Sequence, residues 1–291
     1  MRRRAFVAAG LALPASLAWP APPKFERGLL WRATKAGVAP SHLFGVIHVP
    51  DPRVAQLAPR VEAVFAGARS LMVEFLPDDY ARERFLEAGL FADGETLEQA
   101  IGSADFERAA EQLEPLHLPR EVMLRLKPWV VLLNLRAPQA EQGPPIEALL
   151  VARARDRRLV LGQMEGVEEQ IFAFDELPMP SQVALLKHSL AHRDELLALE
   201  RRTVEAYLRG DLAAIWRLRE DYGARHAEIA AHQAAFTKRV VLDRSVVMAF
   251  RMQRELRRGG AFVALGALHL YGEKGVLALL EADGYRVARL G

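Results

Sequence analysis

His42-Leu43-Phe44-Gly45-Val46-Ile47-His48 is an apolar run closed by a histidine, and Ala261-Phe262-Val263-Ala264-Leu265-Gly266-Ala267-Leu268-His269 repeats that design near the other end of the chain. A strand with one face in water alternates apolar and polar residues. A run that stays apolar is the pattern of a strand covered on both faces. Outward from the first run, Gly28–Thr34 reads as a preceding strand, joined to His42–Val49 through the turn-prone Lys35–Ser41 with its Gly37 and Pro40. Asp51-Pro52 then supplies an N-cap and a proline at the first helical position. Val54, Leu57, Val61 and Val64 give the helix an apolar stripe, and Leu71–Phe75 is the next strand. The unit is strand, histidine turn, helix, strand.

The second run has the same sequel. Val276, Leu277 and Leu280 mark a helix, Asp283-Gly284 ends it, and Tyr285–Leu290 is a last strand. The fold expected is α/β, a central mixed sheet with two related βαβ-type halves. Leu159-Val160-Leu161 adds a strand after a helix from about Pro145 to Arg157 and leads into Gly162-Gln163-Met164-Glu165. Phe85–Leu135 is helix-rich, broken at Pro115, Pro119 and Pro128. A large helical insertion is expected around 180–258, with Leu186, Leu190, Leu197, Val204 and Leu208 as one stripe.

Arg2, Arg3 and Arg4 followed by the uncharged Ala5–Ala18 read as a secretory leader over residues 1–18, with a single domain over 19–291. Export to the periplasm or outside the cell is the expected destination, with no stable membrane insertion once the leader is cleaved. Arg3-Arg4-Ala5-Phe6-Val7 also suits the twin-arginine route, which leaves both export routes open. The formal net charge of +2, less these three arginines, is −1 for the remainder. The basic balance thus belongs to the leader, and nucleic acid is not an expected partner. Gly-x-Ser-x-Gly, a P-loop and Gly-x-Gly-x-x-Gly are absent from the sequence, which sets aside serine hydrolase, NTPase and dinucleotide readings.

Ligands of open α/β sheets sit beyond the carboxyl ends of the strands, where His48, Glu74, Glu165 and His269 all fall. Two imidazoles and two carboxylates are a sufficient ligand set for a divalent ion, and a metal-bound water makes hydrolysis the natural chemistry. The same residues also suit local roles, each histidine satisfying a backbone group and each glutamate pairing with an arginine. Spacing leaves both open. His188 and His192 are four apart, but each lies two residues beyond a stripe leucine, which places them toward solvent. His226 and His232 sit on a polar helical stretch and read as solvated, and His117 reads as a loop residue.

Leu30-Trp31-Arg32 with His42–His48, Val73-Glu74, Gly162–Glu165 with Glu169-Gln170, Leu242-Asp243-Arg244, Phe262–Gly272 and Gly284–Val287 together resemble the TraB/GumN family. That family is related to the TIKI metalloproteases. The resemblance implies two related halves and a metal-dependent, peptidase-like site with His48, Glu74, Arg244 and His269 as its polar set and Glu165 as a further candidate. His48, Glu74, Glu165 and His269 are the expected metal set; Glu74 is ligand or general base, and Arg244 is a cation for a substrate carboxylate or an oxyanion. Val46 stands where the family has Thr, and Ser245 where it has Asn. The implied function is an exported hydrolase using Mn, Co, Fe or Zn on a peptide or another amide or ester. The alternative is a non-catalytic exported protein that binds a metal, a haem-like group or a peptide, as the distantly similar ChaN-like iron-binding proteins suggest.

Overall fold

The computed structural model describes residues 24–49, 51–92, 94–135 and 145–290, so the expected leader lies outside the described residues. Six strands, β1 (Leu30–Lys35), β2 (Val38–Val46), β3 (Ser70–Val73), β4 (Val160–Gln163), β5 (Ala261–Gly266) and β6 (Arg286–Arg289), form one sheet. Its order is β4-β3-β5-β2-β1-β6. The pairs β2–β5, β3–β5 and β3–β4 are parallel, while β1 is antiparallel to β2 and to β6. The sheet is mixed, as expected. Both halves are crossovers that skip a neighbour: β2 reaches β3 across β5, and β5 reaches β6 across β2 and β1. Each half inserts its first strand into the other, which is why the two histidine-bearing strands end side by side. Val46 pairs with Gly266.

The apolar runs are explained by their two covered faces. Leu43, Val263 and Leu265 enter a core with Val204, Ile215, Met248, Met252, Leu256, Val276 and Leu280, from helices on one side. Phe44, Val46, Phe262 and Ala264 enter a core with Val61, Phe65, Ile146 and Leu150, from helices Pro59–Ala66 and Ile146–Asp156 on the other. Successive side chains alternate faces, and both faces are dry. Asp51 caps Pro52–Ala55 as its sequence indicates, accepting from the Arg53 N–H.

The helices between β4 and β5 run Val167–Asp175, Met179–Ala191, Arg193–Leu208, Leu212–Arg225, Ala227–Thr237 and Arg244–Leu256, with a π-helical stretch at Lys238–Asp243. The expected single stripe is broken at His192, where the chain changes direction between helices. Leu186, Leu190 and Val204 are buried, whereas Leu197 and Leu208 are exposed. Leu186 and Leu190 join a core built by Phe91, Leu97, Ile101, Phe106 and Val131, which ties the proline-broken segment before β4 to the insertion after it.

Candidate functional site

The neighbouring carboxyl ends of β3, β4, β5 and β2 carry the candidate residues. Past β3 and β4 the backbones stay paired, with the Met164 N–H donating to the Val73 carbonyl (3.0 Å) and the Glu165 N–H to the Glu74 carbonyl (2.9 Å). Glu74 and Glu165 are thereby held side by side, and two buried carboxylates in that position need a cation. Arg244 supplies it. Its Nε donates to both Glu165 oxygens (2.9 and 3.0 Å), and its Nη2 donates to Glu165 Oε2 (2.6 Å) and Glu74 Oε2 (2.7 Å). Nη1 donates to the Val240 carbonyl. The acidic neighbour Asp243 is not its partner, since Lys238 takes that carboxylate.

Glu165 differs from the sequence expectation. Both its oxygens face Arg244, and Oε2 also accepts from Gln170 Nε2 (2.8 Å), which makes it the holder of the arginine rather than an open ligand. Arg244 has four of its five N–H groups engaged, so its work is to fix Glu74.

Glu74 Oε1 accepts from the Gly266 N–H at 2.6 Å. A Cβ on Gly266 would lie 3.1 Å from that oxygen and 3.2 Å from His269 Cδ2, so the glycine is there for close approach. Gly45 serves similarly, its missing Cβ admitting Leu270 and Ala267 against β2. Neither glycine adopts a positive φ. Burial would raise the Glu74 pKa, but His269 once protonated in acid, the Arg244 and His48 charges and the Gly266 N–H hold it down at about 2.

His269, in the short helix Ala267–Leu270, is buried. Its Nδ1 lies 3.1 Å from the Val241 carbonyl and 2.9 Å from Ser245 Oγ. A carbonyl can only accept, so Nδ1 carries the hydrogen and Nε2 the lone pair. Ser245 in turn donates to Val241 (2.7 Å), so its hydroxyl orients the ring. The π-helical stretch contributes Val240 and Val241, the carbonyls that receive Arg244 and His269; such stretches recur at functional sites. Burial pushes the His269 pKa down to about 4.

His48 follows β2 in irregular chain. Its Nδ1 is 2.8 Å from Oε1 of Glu147, a residue in the first turn of Ile146–Asp156 that the sequence reading did not single out. The atoms crowding His48 would lower its pKa, yet Glu147 raises it to about 9, and the side chain itself is 62% exposed. The Glu147 oxygens are shielded from water and make no hydrogen bond of good geometry, so the ion pair with His48 is their charge compensation. His48 is close enough to influence the charge of Glu74 and His269. It nevertheless stands off from them: His48, Glu74 and His269 do not form a set with donor atoms all within 4.8 Å of one another, whereas among the described residues His188, His192 and His226 do.

The family is decided at this point. The model of the TraB/PrgY/gumN family matches residues 29–289, from β1 to the end of β6 and through every residue of the site. This chain belongs to the TraB/PrgY/gumN family. It is similar to Metalloprotease TIKI2 of Xenopus tropicalis and to Metalloprotease TIKI2 of Danio rerio, each 24% identical over 299 residues and 85% of this chain. The chain spans 57% and 58% of the length of those relatives. No solved structure gives a significant match. Within the TraB/PrgY/gumN chain, the Glu74–His269 pair passes a chemical test for a cation. Oε1 and the Nε2 lone pair are both acceptors, 3.7 Å apart, and neither is protonated near neutral pH.

Beside His48 and Leu268 opens a cavity of about 250 Å³, lined chiefly by apolar side chains that include Leu132, Leu185, Ile229 and Phe236. His188 lies in its lining and is buried, which corrects the expectation that it faces solvent. The helix Met179–Ala191 is covered nearly all round, so a residue off the leucine stripe is still inside. His226 is likewise largely covered, its side chain 14% exposed and paired with Glu195. His232 is partly buried against Ser181.

Proposed function

We propose that this chain is an exported, metal-dependent hydrolase acting on peptides or related amides and esters. The observation that carries the proposal is the facing pair of acceptors, Glu74 Oε1 and His269 Nε2, in a buried position with no proton to share between them. His48, Glu74 and His269 would hold the ion, of the Mn, Co, Fe or Zn class; when bound it supplies a water that is nucleophilic near neutral pH. Glu74, with its pKa near 2, is a weak base and suits the ligand role better than proton abstraction. His48 joins by giving up its Nε2 proton while Glu147 keeps Nδ1, and Ser245 with Val241 keeps Nδ1 of His269. Both are the outer contacts that orient ligating histidines.

The apolar cavity next to His48 supports a substrate with an apolar side chain near the scissile bond. The similarity to proteins named metalloproteases supports the reaction class. Among the described residues no helix is long and apolar enough to cross a membrane, which is consistent with export. The test is a peptide library challenged with the purified chain before and after chelation. Turnover that chelation abolishes and Mn, Co or Zn restores is expected. Metal binding without any turnover would favour the binding-protein alternative.

A further inference from the structure

A second constellation starts from His188, which lines the cavity. His188 lies in Met179–Ala191, His192 at the junction with Arg193–Leu208, and His226 at the junction of Leu212–Arg225 with Ala227–Thr237. Ring centroids are 4.1 Å apart for His188 and His192, 4.6 Å for His188 and His226, and 4.9 Å for His192 and His226. One ring nitrogen of each lies within 4.8 Å of one from each of the others.

Each ring also has a nitrogen engaged outside the cluster. His188 Nε2 is 2.6 Å from the Tyr222 hydroxyl, His192 Nδ1 is 3.1 Å from the His188 carbonyl, and His226 Nε2 is 3.0 Å from Glu195 Oε2. The opposite nitrogens of His188 and His226 converge on one oxygen, Glu228 Oε1, at 3.2 and 3.4 Å. A ring fixed through one nitrogen by a hydroxyl, a carbonyl or a carboxylate, with the other turned inward, is how ligating histidines are oriented.

We propose that His188, His192, His226 and Glu228 form a second metal site, of the Zn(II) class, distinct from the pair Glu74 and His269. Three imidazoles and a carboxylate make a four-ligand set of intermediate softness. Ligand nitrogens around zinc at roughly 2.0–2.1 Å sit closer together than 4.8 Å, so the cluster tightens by small side-chain movements. His192 and His226 are only partly buried and the Glu228 side chain is 61% exposed, which leaves the ion a way in and the ligands room to move. The ion would clip together two helix–helix junctions, with His188 alone of its ligands lining the cavity. The role that follows is structural, and it does not depend on hydrolysis at the sheet edge.

The test titrates the full-length chain, stripped with chelator, with Co(II) as the probe. A four-ligand nitrogen and carboxylate site gives intense visible bands, and Zn(II) displaces them. In the His269→Ala protein the bands are expected to persist, because that variant touches the other site. In His192→Ala and His226→Gln, checked for folding by circular dichroism, one equivalent of Co(II) and the bands should both vanish. Glu228→Ala, at an exposed position, is a second route if either histidine variant fails to fold; it should weaken Co(II) binding at least tenfold. Glu195→Gln removes an outer contact and should cost roughly 10- to 100-fold. Unchanged Co(II) stoichiometry and spectrum in the folded variants would overturn the proposal, as would a wild-type chain whose Co(II) binding disappears entirely with His269→Ala.

Discussion

His269 presents the Nε2 lone pair to Glu74 Oε1 across 3.7 Å, and the Nδ1 hydrogen of the same ring is held from behind by Val241 and Ser245. Two acceptors face one another because the tautomer of one and the ionisation of the other are both fixed by neighbours. The arrangement is a socket for a positive charge, and its consequences can be measured.

Ser245→Ala removes the hydroxyl that accepts from His269 Nδ1 while leaving the Val241 carbonyl. The ring loses part of its restraint but not its fold. The expected result is a roughly 10- to 100-fold loss of metal affinity with a melting temperature near that of the parent. Ser245→Asn, which returns a side-chain oxygen able to accept from Nδ1, should recover binding. Isothermal titration of the three proteins checks this.

Arg244→Met leaves Glu74 and Glu165 adjacent, buried and uncompensated. Breaking a buried pair in this way costs about 3–5 kcal/mol, measurable by urea unfolding. Arg244→Met combined with Glu165→Gln should recover part of that loss, because one of the two charges is gone. If the single variant is as stable as the parent, the bridging role assigned to Arg244 is wrong.

Acid should destabilise the metal-free chain in two steps. His269 has a folded pKa of about 4, below its ordinary 6.5, so its contribution is complete above pH 6.5 and is lost as pH falls toward 4. Glu74 has a folded pKa of about 2, below its ordinary 4.5, so its contribution is lost between pH 4.5 and 2. His48 acts in the opposite sense. Its pKa is raised to about 9, so stability it contributes below pH 6.5 fades as pH rises through 9. Thermal melts across this range should show His269→Ala losing the upper acid step and keeping a smaller lower one, since Arg244, His48 and the Gly266 N–H still act on Glu74.

Much of the sheet was legible because its buried strands are unbroken apolar runs and its turns are marked by glycine, proline and aspartate. Those strand ends also located His48, Glu74 and His269. The pairing of Glu165 with Arg244 was not legible, since 79 residues and a π-helical stretch separate them and no local pattern encodes that stretch. Glu147 was missed for a related reason: in sequence it is one more acidic residue in a helix's first turn, and only the packing of Ile146–Asp156 against the sheet brings it to His48. His188 was misplaced because a leucine stripe defines one buried face, while a helix inside a bundle has several.

Export rests on Arg2–Ala18 and is tested on protein recovered from the native host. The mature N-terminus is expected near Trp19–Pro22, and recovery of Met1–Arg4 would contradict export with cleavage. Replacing Arg3 and Arg4 by Lys should block export only on the twin-arginine route, because ordinary export needs positive charge and not arginine itself.

The central claim is that Glu74 and His269 hold a metal ion, and the most direct measurement is the metal content of variants after dialysis against Zn(II). A His192→Ala background removes the contribution of the histidine trio. In that background one ion per chain is expected, lost on adding either His269→Ala or Glu74→Gln, with peptide hydrolysis lost in parallel. Retention of the ion by both of those variants, or full hydrolysis by exhaustively chelated protein, would contradict it.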